Sequence, residues 1–288
     1  MQGLVRARTF VFLLMLTLVG TTTSHATDQP PNTAPVKTYT FGVVPQQSTS
    51  TVAREWGPML SQLGAMTGLR FVFKTAPDIP TFERRLSKGE YDFAYMNPYH
   101  YVVFSQRPGY RAIARSRGET LHGIVVVQKE APYQNIHDLA DKSVAFPSPA
   151  AFAASVLVQA VFAQQGIPIK PEYVSSHDSV YLNVAKGLIP AGGGVMRTFN
   201  ALDPAIRDRL RILWTTKGYT PHAIAALPGI PASVVQSVQS ALEHLSDSPQ
   251  GRDTLKPMAI SGWQAATDSD WDNIRQLDIH LLDNYLKQ

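Results

Sequence analysis

From residue 39 onward the chain alternates short apolar runs with stretches in which apolar residues recur every three to four positions. Residues 39–44 form a β-rich run that ends at Pro45. A polar loop follows, and then Val52, Trp56, Met59, Leu60, Leu63 and Met66 fall on one face at helical spacing, with Gly68 placed to stop the helix. The pattern next predicts a strand over 69–75, a helix over 81–87 ended by Gly89, and a strand over 91–95. Asn97-Pro98 opens an apolar helix to about residue 105, and strands follow over 110–114 and 123–128.

A second unit of the same style continues the chain. Asn135 caps a short helix, 143–146 is a strand, and Ser148-Pro149 opens a helix carrying Phe152, Val156, Val161 and Phe162. A brief strand at 173–174, a helix over 180–186, a Gly-rich run at 191–195 and a strand over 210–215 complete it. Helices are predicted over 233–245 and 270–286. Such alternation predicts an α/β fold of mainly parallel sheets covered by helices. Two lobes are expected: residues 38–123 with 223–288 in lobe 1, and 124–222 in lobe 2. Two crossing segments would form a hinge, with a small-ligand cleft between the lobes.

The first residues carry a different pattern. Arg6 and Arg8 precede a ten-residue apolar run from Phe10 to Val19, and Ser24-His25-Ala26 supplies small residues where a signal peptidase reads. The run is shorter than the ~20 residues that span a bilayer. Residues 1–26 therefore read as a cleavable signal peptide and 27–37, rich in Pro, as a spacer, which makes the protein exported. Removing the leader takes Arg6 and Arg8 and no acidic residue, lowering the formal charge from +4 to +2. No clustered Lys/Arg stripe argues for nucleic acid. The chain has no Cys, which excludes disulfides, thiolate metal sites, Cys nucleophiles and a lipidated N-terminal Cys.

Certain residues in order give a resemblance. Phe41-Gly42-Val43-Val44-Pro45-Gln46, followed by Trp56 and Pro58, resembles the opening of the phosphate/phosphite/phosphonate-binding (PhnD-type) periplasmic substrate-binding proteins of ABC transporters. Residues 91–101, the strand ending at Phe146 with the helix after it, and Ser176-His177-Asp178-Ser179-Val180 match the family's later segments in the same order. The resemblance covers the chain from Tyr39 onward. It implies a type II periplasmic-binding-protein fold, two lobes closing on a ligand in the periplasm, with no cofactor. It further implies a monomer that captures a small oxyanion for the membrane permease of an ABC importer. The alternative it leaves open is a ligand-sensing partner of a membrane histidine kinase. Two departures mark a divergent branch. Ser148-Pro149-Ala150-Ala151-Phe152 has one hydroxyl where the family is Ser/Thr-rich, and Leu188-Ile189-Pro190-Ala191 lacks the family's acidic residue.

The candidate ligand-binding residues are Gln46, Gln47, Ser48, Tyr95, Asn97, Tyr99, Ser148, Ala150, Ala151, His177 and Arg197. The free amides after Ser148-Pro149 either face an anion or begin an ordinary hydrated helix. His177 either donates to an oxyanion or is exposed while Asp178 caps the next helix. Tyr95, and less strongly Tyr99, flank Asn97 at the end of a parallel strand, where open α/β sheets bind ligands. Gln46, Gln47 and Ser48 hold the matching position after the first strand. Arg197 follows three glycines that permit close approach of the backbone to a ligand; it either grips an oxyanion or pairs with Asp203 or Asp208. There is no nucleophile elbow with a Ser-His-Asp order, no phosphate loop before a Lys, and no His cluster at metal spacing, so neither catalysis nor a metal is expected.

Overall fold

A computed structural model describes residues 36–287. The predicted leader, and all of the spacer except Val36 and Lys37, lie outside these residues. Eleven strands are described: β1 (Thr38–Val43), β2 (Arg70–Lys74), β3 (Phe93–Met96), β4 (Arg111–Ser116), β5 (Gly123–Gln128), β6 (Ser143–Phe146), β7 (Lys170–Tyr173), β8 (Ala191–Val195), β9 (Leu210–Thr215), β10 (Ala223–Ala226) and β11 (Trp263–Ala265). They form a six-stranded sheet in the order β11-β4-β10-β3-β1-β2 and a five-stranded sheet in the order β7-β6-β8-β5-β9.

Both sheets are mixed, where the alternation predicts mainly parallel ones. β1 runs parallel to β2 and β3, and β6 runs parallel to β7 and β8, each pair being joined through helical crossovers. β10 pairs antiparallel with β3 and β4, and β5 pairs antiparallel with β8 and β9. β5 and β10 are the strands that enter one sheet from the other, so no crossover helix sets their direction. The two crossing segments meet in an antiparallel bridge, Leu121 with Tyr219.

Burial explains the sequence pattern. Helix α1 (Thr49–Thr67) turns Val52, Trp56, Met59, Leu60 and Leu63 onto the six-stranded sheet. It ends at Gly68, whose φ of 68° suits a residue without Cβ, and whose N–H bonds to Gly64 O. β5 is covered on both faces, so it reads as a continuous apolar run. Val125 and Val127 pack with Phe146, Val158 and Phe162, while Ile124 and Val126 pack with Tyr181 and Phe199.

The helix predicted over 270–286 is broken instead into short turns: Asp268–Trp271, Asp272–Arg275 and Asp283–Tyr285. Asp278 between them has φ 50°, which a helix cannot contain but a short polar residue tolerates. Among the described residues no helix is long and apolar enough to cross a membrane, and no group of three or more His, Asp and Glu is placed to hold a metal ion.

Candidate functional site

The sheets meet around a small cavity of about 10 Å³, on the order of the room one water needs. The six-stranded side contributes Val44, Gln46, Ile79, Asn97 and His222. The five-stranded side contributes residues 151–154, His177 and Val195, and Leu121 of the crossing completes the lining. No lining residue carries a formal charge.

The five-stranded wall is main chain. Ser148-Pro149 does not cap the helix as its residue types predict. Ala151 N–H bonds to Ser148 O at 3.3 Å, so Pro149 and Ala150 form the corner of a turn. The helix then begins with a π-helical turn, Phe152–Val156, whose N-cap Ala151 gives no side-chain hydrogen bond, and it continues as α4 (Leu157–Gln164). The N–H groups of Phe152, Ala153 and Ala154 have no acceptor among the described residues, and all three residues line the cavity. Helix N-terminal amides left free in this way favour an anion. Ser148 Oγ and Ser155 Oγ are buried with no hydrogen-bond partner among the described residues.

This turn sits where it does because the sheet beneath it lacks side chains. A Cβ on Gly123 would lie 2.1 Å from Ala153 O, and one on Gly193 2.1 Å from Ala154 O. The glycines of β8 therefore admit the protein's own helix and not a ligand, contrary to the sequence reading. Gly192 and Gly194 likewise face Val180 and the Tyr181 hydroxyl. Tyr181 Oη braces the end of β8, donating to Val195 O at 3.0 Å and accepting from Val195 N at 3.1 Å.

The six-stranded wall is made of side chains. Asn97 caps helix α3 (Pro98–Phe104), its Oδ1 accepting from His100 N at 2.7 Å, while its Nδ2 donates across the cleft to Ala150 O at 3.2 Å. Behind it His100 Nε2 lies 3.0 Å from Glu83 Oε1, both side chains buried. Tyr95 is buried, stacked on His222 with ring centroids 5.0 Å apart and packed against Trp56 at 4.5 Å. Burial raises the Tyr95 pKa against the influence of Arg197.

Arg197 takes the cleft side of its two alternatives. Its Nη2 donates to Gln46 Oε1 and its Nη1 to Met258 O at 3.4 Å, and its Cζ lies 5.9 Å from the Tyr95 ring centroid. The guanidinium thus stands behind Gln46, outside the cavity lining. His177 is buried, not exposed. Its main-chain N–H donates across the cleft to Gln46 O at 2.9 Å, and Nδ1 has no partner among the described residues. Burial, and then the charge of Arg197, lower its pKa to about 3. Asp178 also crosses the cleft, its Oδ2 accepting from Ser48 N at 3.0 Å.

The remaining candidates fall elsewhere. Ser48 is exposed and caps α1. Gln47 lines a separate groove of about 320 Å³ with Thr51, Arg54, Glu55 and Asp178. Tyr99 is spent on the C-terminal segment, its hydroxyl donating to Ile279 O at 3.1 Å and accepting from Leu282 N at 3.0 Å. His222 is the cavity residue that sequence reasoning missed. It is buried, its Nε2 has no partner among the described residues, and burial, followed by the charges of Arg197, His100 and His177, pushes its pKa well down. The available signal was its place in the returning crossover, directly before β10.

Residues 41–271 match a family model described as the periplasmic substrate-binding protein of a phosphonate ABC transporter. A curated relative, the phosphate-import protein PhnD of Mycolicibacterium smegmatis, is 22% identical, and the match covers 54% of this chain and 54% of that protein, about half of each. Among solved structures, the binding protein of an ABC phosphonate transporter from Pseudomonas aeruginosa superposes with a TM-score of 0.77 at 16% identity, covering 84% of this chain and 86% of that one. PhnD1 from Prochlorococcus marinus, solved with methylphosphonate, gives 0.78 at 15% identity, over 87% and 98%. The fold is the two-sheet type II periplasmic-binding-protein fold that the sequence implied.

Proposed function

The chain belongs to the family of periplasmic substrate-binding proteins of phosphonate ABC transporters, and we propose that it captures one small oxyanion in the closed cleft and presents it to a membrane permease. One observation carries this reading. The free N–H groups of Phe152, Ala153 and Ala154 line the same cavity as two buried imidazoles with open nitrogens, His177 Nδ1 and His222 Nε2. Amides at a helix start with neutral polar side chains opposite suit a tetrahedral oxyanion. Bonds from Asn97 Nδ2 to Ala150 O and from His177 N to Gln46 O then close the two sheets over it. On this reading Gln46, Asn97, Ala151, His177 and His222 contact the ligand, Tyr95 and Arg197 support them, and the hinge lies at the Leu121–Tyr219 bridge between a lobe of residues 38–123 with 223–288 and a lobe of residues 124–222.

The test is calorimetric titration of the mature protein with methylphosphonate, phosphite and inorganic phosphate, alongside thermal unfolding. At 100-fold excess over Kd a bound ligand adds about 2.7 kcal/mol to stability, a rise of several degrees in Tm. Absence of both heat and thermal shift with all three rejects the oxyanion reading.

A further inference from the structure

The hydrogen-bonding groups of the cavity are unevenly matched to a fully ionised ligand. Phe152, Ala153 and Ala154 offer N–H donors. Gln46 gives its carbonyl oxygen to Arg197, which leaves its amide N–H₂ as the free end. No Asp or Glu lines the cavity to receive a proton from a ligand hydroxyl. Among the lining side chains, with Asn97 Oδ1 engaged by His100 N–H, the groups that can do so are the two imidazoles, His177 at 2% exposure and His222 at 3%, each with a buried ring nitrogen that has no partner among the described residues. A neutral imidazole carries one such lone pair.

Charge points the same way. No Lys or Arg lines the cavity, and Arg197 stands one residue removed, behind Gln46. Arg197 acts on both rings, His100 and His177 act on His222 as well, and Asp178 is next to His177 in sequence. Glu55 and Tyr95 act with Arg197, and Glu83 stands behind His100. A second negative charge on the ligand would need a second positive charge beside it in a dry site. The rings are poorly placed to supply one, because Arg197 and burial both oppose their ionisation.

We propose that the site takes its oxyanion as the monoanion, with the proton of the second ionisation still present and held between a ligand oxygen and the open nitrogen of His177 or His222. This rests on the oxyanion reading above and narrows its ligand class to singly charged, proton-carrying tetrahedral oxyanions. Above the ligand's second ionisation, binding must then draw one proton from solvent.

The test compares methylphosphonate and inorganic phosphate, which each have a second ionisation near neutrality, with hypophosphite, whose charge stays at minus one. Each is titrated calorimetrically between about pH 6.5 and 9, in buffers of contrasting ionisation heat. Affinity for the first two should fall about tenfold per pH unit above the ligand's second pKa, with close to one proton taken up per ligand. Hypophosphite should show no such trend, which cancels any titration of Glu55 or Asp178. His222→Phe and His177→Phe, which keep a ring in place, should between them weaken methylphosphonate more than hypophosphite. Methylphosphonate affinity that stays flat or rises with pH, with no proton uptake, overturns the inference and leaves the oxyanion reading standing. Failure of all three ligands at every pH removes that reading itself.

Discussion

On the six-stranded sheet the cleft wall consists of side chains, Gln46, Asn97 and His222, braced by Arg197, Tyr95 and α3. On the five-stranded sheet it is largely main chain, a π-helical turn whose carbonyls rest on Gly123 and Gly193. The first kind of wall is specified by what its residues carry. The second is specified by what they lack, because any Cβ beneath the turn would lift the amides out of position. The first should therefore lose affinity by increments, the second all at once.

The sharpest way to break this contrast is Gly193→Ala. Its Cβ meets a backbone oxygen that cannot rotate away, so we expect about 3 kcal/mol of destabilisation and loss of measurable oxyanion binding by calorimetry. Gly57→Ala, with open space around it, is the control. It should retain binding, with a stability change in urea unfolding of less than ~1 kcal/mol, since helix propensity and the crowding of a Cβ by Pro58 oppose each other.

Acidification acts next. The His177 imidazole takes up a proton near 6.5 when unfolded but not until about 3 when folded, and His222 is shifted in the same direction. Their contribution to stability is therefore full above the unfolded value and is lost as pH falls from there. Glu55 and Asp178, whose pKa values burial raises, act in the opposite sense, since their ionisation costs stability as pH rises. The Tm of the unliganded protein should fall from about pH 8 to about pH 5, and less steeply in the His177→Phe, His222→Phe double variant. An equal slope in both would remove the histidines as its cause.

Arg197→Met releases the carbonyl of Gln46. Loss of a hydrogen bond from a charged donor, about 2 kcal/mol, should weaken binding roughly thirtyfold. Asn97→Ala removes a helix cap, worth about 1 kcal/mol in denaturant unfolding, together with the bond to Ala150 O. Titration should show a loss smaller than that for Arg197→Met. The reverse order would mean that closure, and not the electrostatics behind Gln46, dominates affinity.

The same contrast explains what could be read from sequence. Side-chain features were legible. The apolar stripe of α1, its stop at Gly68, and the Asn97-Pro98 helix start all follow local rules, whereas Gln46 was named from its place after the first strand and His177 from the family resemblance. Backbone features were not. Proline's fixed φ serves the corner of a turn as well as the first position of a helix, so Ser148-Pro149 could not reveal that the helix begins at Phe152. Three consecutive glycines announce close approach without saying of what. Tyr99 and His222 show a further gap. Both are aromatic residues near strand ends, and their partners, the Ile279–Leu282 segment and Tyr95, lie far away in sequence, so that only the tertiary fold separates a tether from a cleft residue.

The position of β10 bears on how the chain acquires its structure. Ala223–Ala226 lies inside the six-stranded sheet, between β3 and β4, so that sheet cannot be completed until more than a hundred intervening residues are available. The five-stranded sheet is contiguous, running from β5 to β9 without a break. In a chain that emerges N-terminus first, the early strands β1 to β4 must wait as two separate pieces while the later-made sheet assembles. The insertion of β10 then joins them in a late, long-range step. The part of the protein made first is thus the part finished last.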